Sequence, residues 1–222
     1  MKTRVLVGAL AVGAALVGAA AYAARRTGEE DELITLDELR ALTPRLTEEQ
    51  RRTYLPHLVR ALAKWEITTL PRLAAALGQW LHESWQFSAL QEIAPDVARY
   101  AANAGLGNSS AHAAKKFIGR GATMLTGEAN YKRAAAALGV DLVGKPELAA
   151  DPRYTFDVAG WFWRKGTSAD LNALADAGEF EAITRRINGG TNGAEDRRRY
   201  HAQAMAVLRS RLAKQSEEGE RS

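Results

Sequence analysis

One apolar helix limits what this chain can fold into. Leu73, Leu77, Trp80 and Leu81 recur at i, i+4, i+7 and i+8, the spacing of one helical face. The stretch Leu77-Gly78-Gln79-Trp80-Leu81-His82-Glu83-Ser84-Trp85-Gln86-Phe87 therefore reads as a buried helix whose apolar face ends at an acid, Glu83. An acid in that position is either exposed at the helix end or held in a partly apolar pocket. The second setting raises a carboxyl pKa and suits general acid work.

A second acid, Glu92, follows nine residues later. On one continuous helix the two would point about 180° apart, so they can face each other only if the chain turns between them. Ser88 and the shift in apolar spacing allow that turn. Two acids across a cleft is the arrangement that glycoside hydrolysis requires, and a pair of solvated helix-end acids is the plain alternative. His82-Glu83 does not extend to a HExxH zinc pattern, because position 86 is Gln.

The chain has 222 residues, enough for one well-buried domain with appendages. It has no cysteine, which excludes disulfides and any thiolate ligand or nucleophile. The net charge of +4 suits an anionic polymer, a membrane surface or nucleic acid, and selects none of them. At the N-terminus, Lys2 and Arg4 precede an uncharged run of 20 residues from Val5 to Ala24. A helix of that length spans about 30 Å of hydrocarbon. Ala21-Tyr22-Ala23 offers an A-x-A cleavage site, so residues 1–24 read as a signal or membrane-anchor segment. Residues 25–32 read as a linker, 33–215 as the folded domain and 216–222 as a polar, frayed tail.

Within the domain, Thr35-Leu36-Asp37-Glu38 and Thr47-Glu48-Glu49-Gln50 are capping boxes. The first predicts a helix ending before Pro44, and the second a helix to about Lys64 that Pro56 should kink. Thr68-Thr69-Leu70-Pro71 opens the central helix. Further helices are expected at 95–104, 155–163, 168–175, 179–187 and 194–214. The run 117–126 reads as a short irregular strand, with Thr126 capping the next helix. Trp161-Phe162-Trp163 reads as core, with a sugar-stacking platform as the rarer alternative. The run Asn188-Gly189-Gly190-Thr191-Asn192-Gly193 predicts backbone brought close to another group.

Four blocks of this sequence, in order, resemble glycoside hydrolase family 19 in its compact bacterial and phage-lysin form. They are His82-Glu83-Ser84; Gly119-Arg120-Gly121 with Leu125-Thr126-Gly127 and Ala129-Asn130-Tyr131; Ala159 to Trp163; and Ile187 to Gly190 with Asn192-Gly193 and Asp196-Arg197. Ile34-Thr35-Leu36 and Tyr54-Leu55-Pro56-His57 are similar to phage-type members. The resemblance implies a mainly α, lysozyme-like α+β fold: helices around a substrate cleft with a small β element. It implies cleavage of a β-1,4-linked N-acetylhexosamine polymer with inversion, without metal, organic cofactor or nucleic acid. Glu83 then takes the general acid position and Glu92 the general base position. Thr126 takes the position of a hydroxyl that holds the attacking water, and His82, Asn130, Asn188 and Arg197 fall at substrate-binding or supporting positions. The chain departs from the pattern at Trp85, where the family uses Gly, and at Ala122-Thr123-Met124, where it uses Pro-Ile-Gln. Glu128 stands where Arg is common, and the charged residues usual around 100–103 are missing.

The reading that follows is an exported, endolysin-like hydrolase of peptidoglycan, tethered through residues 5–24 or released. A chitinase, a lytic transglycosylase, a non-catalytic wall binder and a membrane-anchored envelope or virion protein are the alternatives. Peptidoglycan and chitin share the N-acetylglucosamine unit, so the residues leave the choice of polymer open.

Overall fold

The computed structural model describes the backbone over residues 33–219 and side chains as far as 210. The signal or anchor segment 1–24, the linker 25–32 and the end of the tail lie outside the described residues. The described residues from 34 onward fall in one contact unit. Among the described residues no helix is long and apolar enough to cross a membrane.

The capping boxes form as written. Thr35 Oγ1 accepts the Glu38 N–H at 3.2 Å while Glu38 accepts the Thr35 N–H at 2.7 Å, opening α1 (Leu36–Leu42). Thr47 and Gln50 exchange the same pair of bonds at the start of α2 (Glu48–Lys64), which carries Pro56 inside it. Each box satisfies two backbone donors that a helix start would otherwise leave open.

The central helix is α3 (Leu70–Glu83). Every residue from Leu73 to Leu81 is buried, so α3 is covered on all sides rather than on one face. Its most extensive partner is the last helix, α10 (Ala194–Gly219). A Cβ on Gly78 would lie 3.0 Å from the His201 backbone, so the two helices cross closely only because that position is glycine. Trp80 packs edge-on to Trp163 at 6.3 Å, and the Trp163 indole N–H donates to Asn172 Oδ1 at 2.8 Å. Trp161 and Trp163 are both buried, as the core reading of that cluster requires.

Between α3 and α10 run α4 (Val97–Ala102), α5 (Ala111–Lys116), α6 (Glu128–Leu138), α7 (Pro152–Trp161), α8 (Leu171–Asp176) and α9 (Phe180–Asn188). Several boundaries differ from expectation. α4 is shorter than the 95–104 segment, because Asn103 breaks it before a 3₁₀ turn at Ala104–Leu106. A second 3₁₀ turn, Pro146–Ala150, precedes α7. α7 does not continue to Trp163 as α-helix; it widens into a π-helical turn over Phe162–Gly166. α10 runs on to Gly219, through the first residues of the segment read as a frayed tail.

The small β element consists of two isolated antiparallel bridges, Gln91 with Arg120 and Arg120 with Leu125. Residues 121–124 between them are a turn, not a strand, with Met124 at φ 50°. Thr126 is not the helix cap expected of it: Gly127 is the N-cap of α6, and Thr126 donates its hydroxyl to the Met124 carbonyl at 2.8 Å. Behind this element Phe117, Leu125, Tyr131, Leu142, Val158 and Trp161 form an apolar cluster.

Candidate active site

The turn between the two acids begins as soon as α3 ends. Ser84 caps the helix, and Trp85, Gln86 and Phe87 then take positive φ angles of 49°, 62° and 63°. Ser88, the residue from which a turn was expected, lies beyond them. Left-handed backbone costs an ordinary L-residue about 1–2 kcal/mol, so three in succession need compensation from packing. Phe87 is fully buried with its ring 5.1 Å from that of Phe156, and its N–H bonds Ser84 Oγ at 3.0 Å. Gln86 is also buried; its side chain donates to the Tyr200 hydroxyl at 3.2 Å and accepts the Arg45 N–H at 3.3 Å. These anchors reverse the chain and carry it to Glu92.

Glu92 is fixed by the β element. Its N–H donates to the Gly119 carbonyl at 2.9 Å, and the Gly121 N–H donates to Leu90 at 2.8 Å. Arg120 fastens this pairing from behind: its Nε donates to Gln91 Oε1 at 3.1 Å, and its Nη1 to the Lys116 carbonyl and the Tyr131 hydroxyl. The Glu92 carboxyl takes one donor on each oxygen, the Tyr100 hydroxyl at 2.5 Å and the Gly119 N–H at 3.1 Å. Burial pushes the Tyr100 phenol well above its ordinary pKa, and the bond to Glu92 adds to that. Tyr100 therefore stays a donor to the carboxyl. The sequence offered no signal for it beyond an aromatic eight residues after the acid, a spacing that only the broken backbone at Ala94 (φ 57°) makes useful.

Glu83 is held from the opposite side. Arg197 of α10 is 2% exposed; its Nη2 donates to Glu83 Oε1 at 2.6 Å and its Nη1 to Gln79 Oε1 at 2.6 Å. Gln79 is fully buried and donates in turn to Thr184 of α9 at 2.9 Å. The chain Thr184–Gln79–Arg197–Glu83 thus ties three helices to one carboxyl. Glu83 Oε2 takes no hydrogen bond from the described residues. Gln79 was invisible as a site residue, because a lone Gln inside an apolar helix has no motif.

Glu83, Glu92, Thr126, Asn130 and Asn188 all line one cleft of about 600 Å³. A Cβ built on Gly119 would stand 3.2 Å from Glu92 Oε2 and 3.3 Å from Thr126 Oγ1, so those two oxygens flank the same point. The Asn130 amide donates to the Thr126 carbonyl at 2.9 Å, and Asn188 bridges its own loop through Asn192 and Gly190. Met124 lines the cleft with a thioether where the family carries an amide. His82 and Arg197 are not among the cleft-lining residues. The His82 Nδ1 lies 2.7 Å from Asp196, and the 188–193 loop closes over its ring: a Cβ on Gly193 would meet it at 2.4 Å. Glu128 is likewise outside the cleft. Lys132 and two donors from Ser109 hold its carboxyl at a pKa of about 2.

Two separately held carboxyls opening to one cleft of a mainly helical, lysozyme-like fold are the arrangement that hydrolysis of a glycosidic bond requires. Residues 73–175 match the family model described as chitinase class I, of glycoside hydrolase family 19. The matched segment contains His82, Glu83, Glu92, Thr126 and Asn130; Asn188 and Arg197 lie beyond it. An endochitinase of Arabidopsis thaliana is 36% identical over 119 residues, 53% of this chain and 39% of its own length. A family-19 domain-containing protein of Haemophilus influenzae is 34% identical over 109 residues, 49% of this chain and 50% of its own. The chain thus spans half or less of the length of these curated relatives. Among solved structures, chitinase C from Streptomyces griseus superposes with a TM-score of 0.64 at 23% identity, over 79% of this chain and 76% of that one. A class IV chitinase from Zea mays does so at 0.55 and 24% identity, over 83% and 90%.

Proposed function

We propose that this chain hydrolyses β-1,4 bonds of an N-acetylhexosamine polymer by an inverting acid/base mechanism. The observation that carries the proposal is the cleft itself: Glu83 and Glu92 open into it from different elements, each held by its own donors. Glu83 protonates the leaving glycosidic oxygen. Its Oε2, unengaged by the described residues, is the oxygen available for that proton. Glu92 removes a proton from water on the opposite face of the sugar. The Thr126 hydroxyl donates its hydrogen bond to the Met124 carbonyl, so its oxygen is left to accept from that water. Water between the two carboxyls delivers the new hydroxyl with inversion. Asn130 and Asn188, on the cleft wall, hold the sugar substituents.

The finer reading is the glycan strand of peptidoglycan, supported by the phage-type segments Ile34-Thr35-Leu36 and Tyr54-Leu55-Pro56-His57. The relatives named as endochitinases support chitin, which has the same linkage and sugar unit. Purified full-length protein incubated with each polymer, with fresh products followed by NMR and mass spectrometry, separates the readings. The α-anomer is expected at the new reducing end, on muropeptides. Chito-oligomers alone would assign chitin; retention of configuration or anhydro-muramic ends would overturn the mechanism. Export through residues 1–24 belongs to the same reading, and fractionating cells that express the full chain checks it: protein confined to the cytosol would contradict it.

Gly119→Ala tests the water site without removing a reacting group. The new methyl would press on Glu92 Oε2 and Thr126 Oγ1, which must shift by a few tenths of an ångström. Misplacement on that scale is expected to lower kcat on the order of tenfold, with little change in the unfolding midpoint. An unchanged kcat would mean that these two oxygens do not share the attacking water.

A further inference from the structure

Trp85 is the departure from the family pattern that the mechanism leaves unused. It sits two residues after Glu83, lines the cleft and is 65% exposed. The other large apolar side chain exposed among the described residues, Ile93 at 86%, follows Glu92 and lines the same cleft. Apolar side chains left in water at the mouth of a concave site are what a ligand with an apolar face would cover.

The backbone adds a second observation. At φ 49°, residue 85 is in the region that favours glycine, the residue the family uses there. Its neighbours Gln86 and Phe87 share the left-handed conformation, but their buried side chains hold the turn together. The Trp85 indole contributes no such anchor. Its ring contact is with the Arg45 guanidinium, 5.5 Å from the ring centroid. A cation at that range attracts the electron-rich face of the ring and restrains it. A strained, exposed, cation-braced indole does not serve the core.

We propose that Trp85 is a glycan-binding platform, stacking its indole on the apolar face of a sugar ring beside the scissile bond, with Ile93 as a further apolar contact in the same cleft. This rests on the glycoside hydrolase reading for the identity of the ligand. Trp85 is a binding residue and takes no part in proton transfer.

The test uses binding, so that it does not depend on turnover. Full-length Glu83→Gln protein is titrated calorimetrically with N-acetylglucosamine hexamer and with a soluble peptidoglycan glycan fragment, alone and with Trp85→Gly, Trp85→Ala or Trp85→Tyr added. The Gly and Ala variants are expected to bind on the order of tenfold more weakly, as truncation of a central Trp anchor does. The Tyr variant should keep most of the affinity. The unfolding midpoint of Trp85→Gly should not fall, since glycine relieves the left-handed backbone. Unchanged affinity in the Gly and Ala variants overturns the proposal while leaving the hydrolase reading intact. Absence of binding even with Trp85 present overturns both. Trp-dependent binding by a protein whose Glu83-containing form hydrolyses neither polymer supports the platform and removes the hydrolase reading.

Discussion

Glu83→Gln is expected to abolish turnover, lowering kcat on N-acetylglucosamine oligomers on the order of 10²–10⁴-fold while leaving the fold in place. Gln has nearly the shape of Glu, and its amide oxygen can still accept the Arg197 bond that Glu83 Oε1 accepts now. What is lost is the proton that the leaving oxygen must receive. KM should change little, because the neighbouring cleft residues are untouched. Steady-state kinetics with a thermal melt of the same sample reads both quantities. Turnover within a few-fold of the parent would sink the assignment of Glu83. A collapse of the melt would instead show that the carboxylate is needed for folding.

The second large effect is on stability. Arg197→Met removes a nearly fully buried guanidinium that serves two acceptors, Gln79 and Glu83. Methionine fills much of the volume but leaves the fully buried Gln79 carbonyl oxygen without its donor and Glu83 without its counter-charge. An orphaned buried acceptor costs about 1–3 kcal/mol, and breaking a buried ion pair about 3–5 kcal/mol. Glu83 keeps some contact with the open cleft, so the expected loss is about 2–4 kcal/mol. For a domain of this size that lowers the midpoint by roughly 5–15 °C. Arg197→Lys should not rescue it, since an ammonium lacks the planar fork that reaches both acceptors. In a double-mutant cycle the loss should shrink by at least about 0.5 kcal/mol when Glu83 is already Gln. A drop below about 2 °C would mean that the Thr184–Gln79–Arg197–Glu83 chain does not hold the helices.

The mainly helical class and the two capping-box helix starts were legible because their signals are local. A capping box spans four residues, and both boxes formed between the atoms that the sequence pairs. The apolar spacing from Leu73 to Leu81 marked the central helix, and Trp161 and Trp163 were recognised as core, while Phe162 between them is half-buried and lines the cleft. What failed were ends and short elements. α4, the widening after α7 and the extension of α10 depend on contacts or backbone geometry that no four-residue window contains. Thr126 has the composition of a cap, but its hydroxyl found the Met124 carbonyl first.

The sequence by itself nominated the side chains proposed for the chemistry: Glu83 and Thr126 lie in recognisable blocks, and Glu92 follows Glu83 by nine residues. It could not determine what holds them. Tyr100 meets Glu92 only after a break in the backbone, and Gln79 meets Arg197 across 118 positions of chain. His82 sits next to Glu83 in sequence, yet it is closed under the 188–193 loop against Asp196 while Glu83 opens to the cleft. Adjacent residues at a helix end point in different directions, and only the packing of α3 against α10 decided which one faces the cleft.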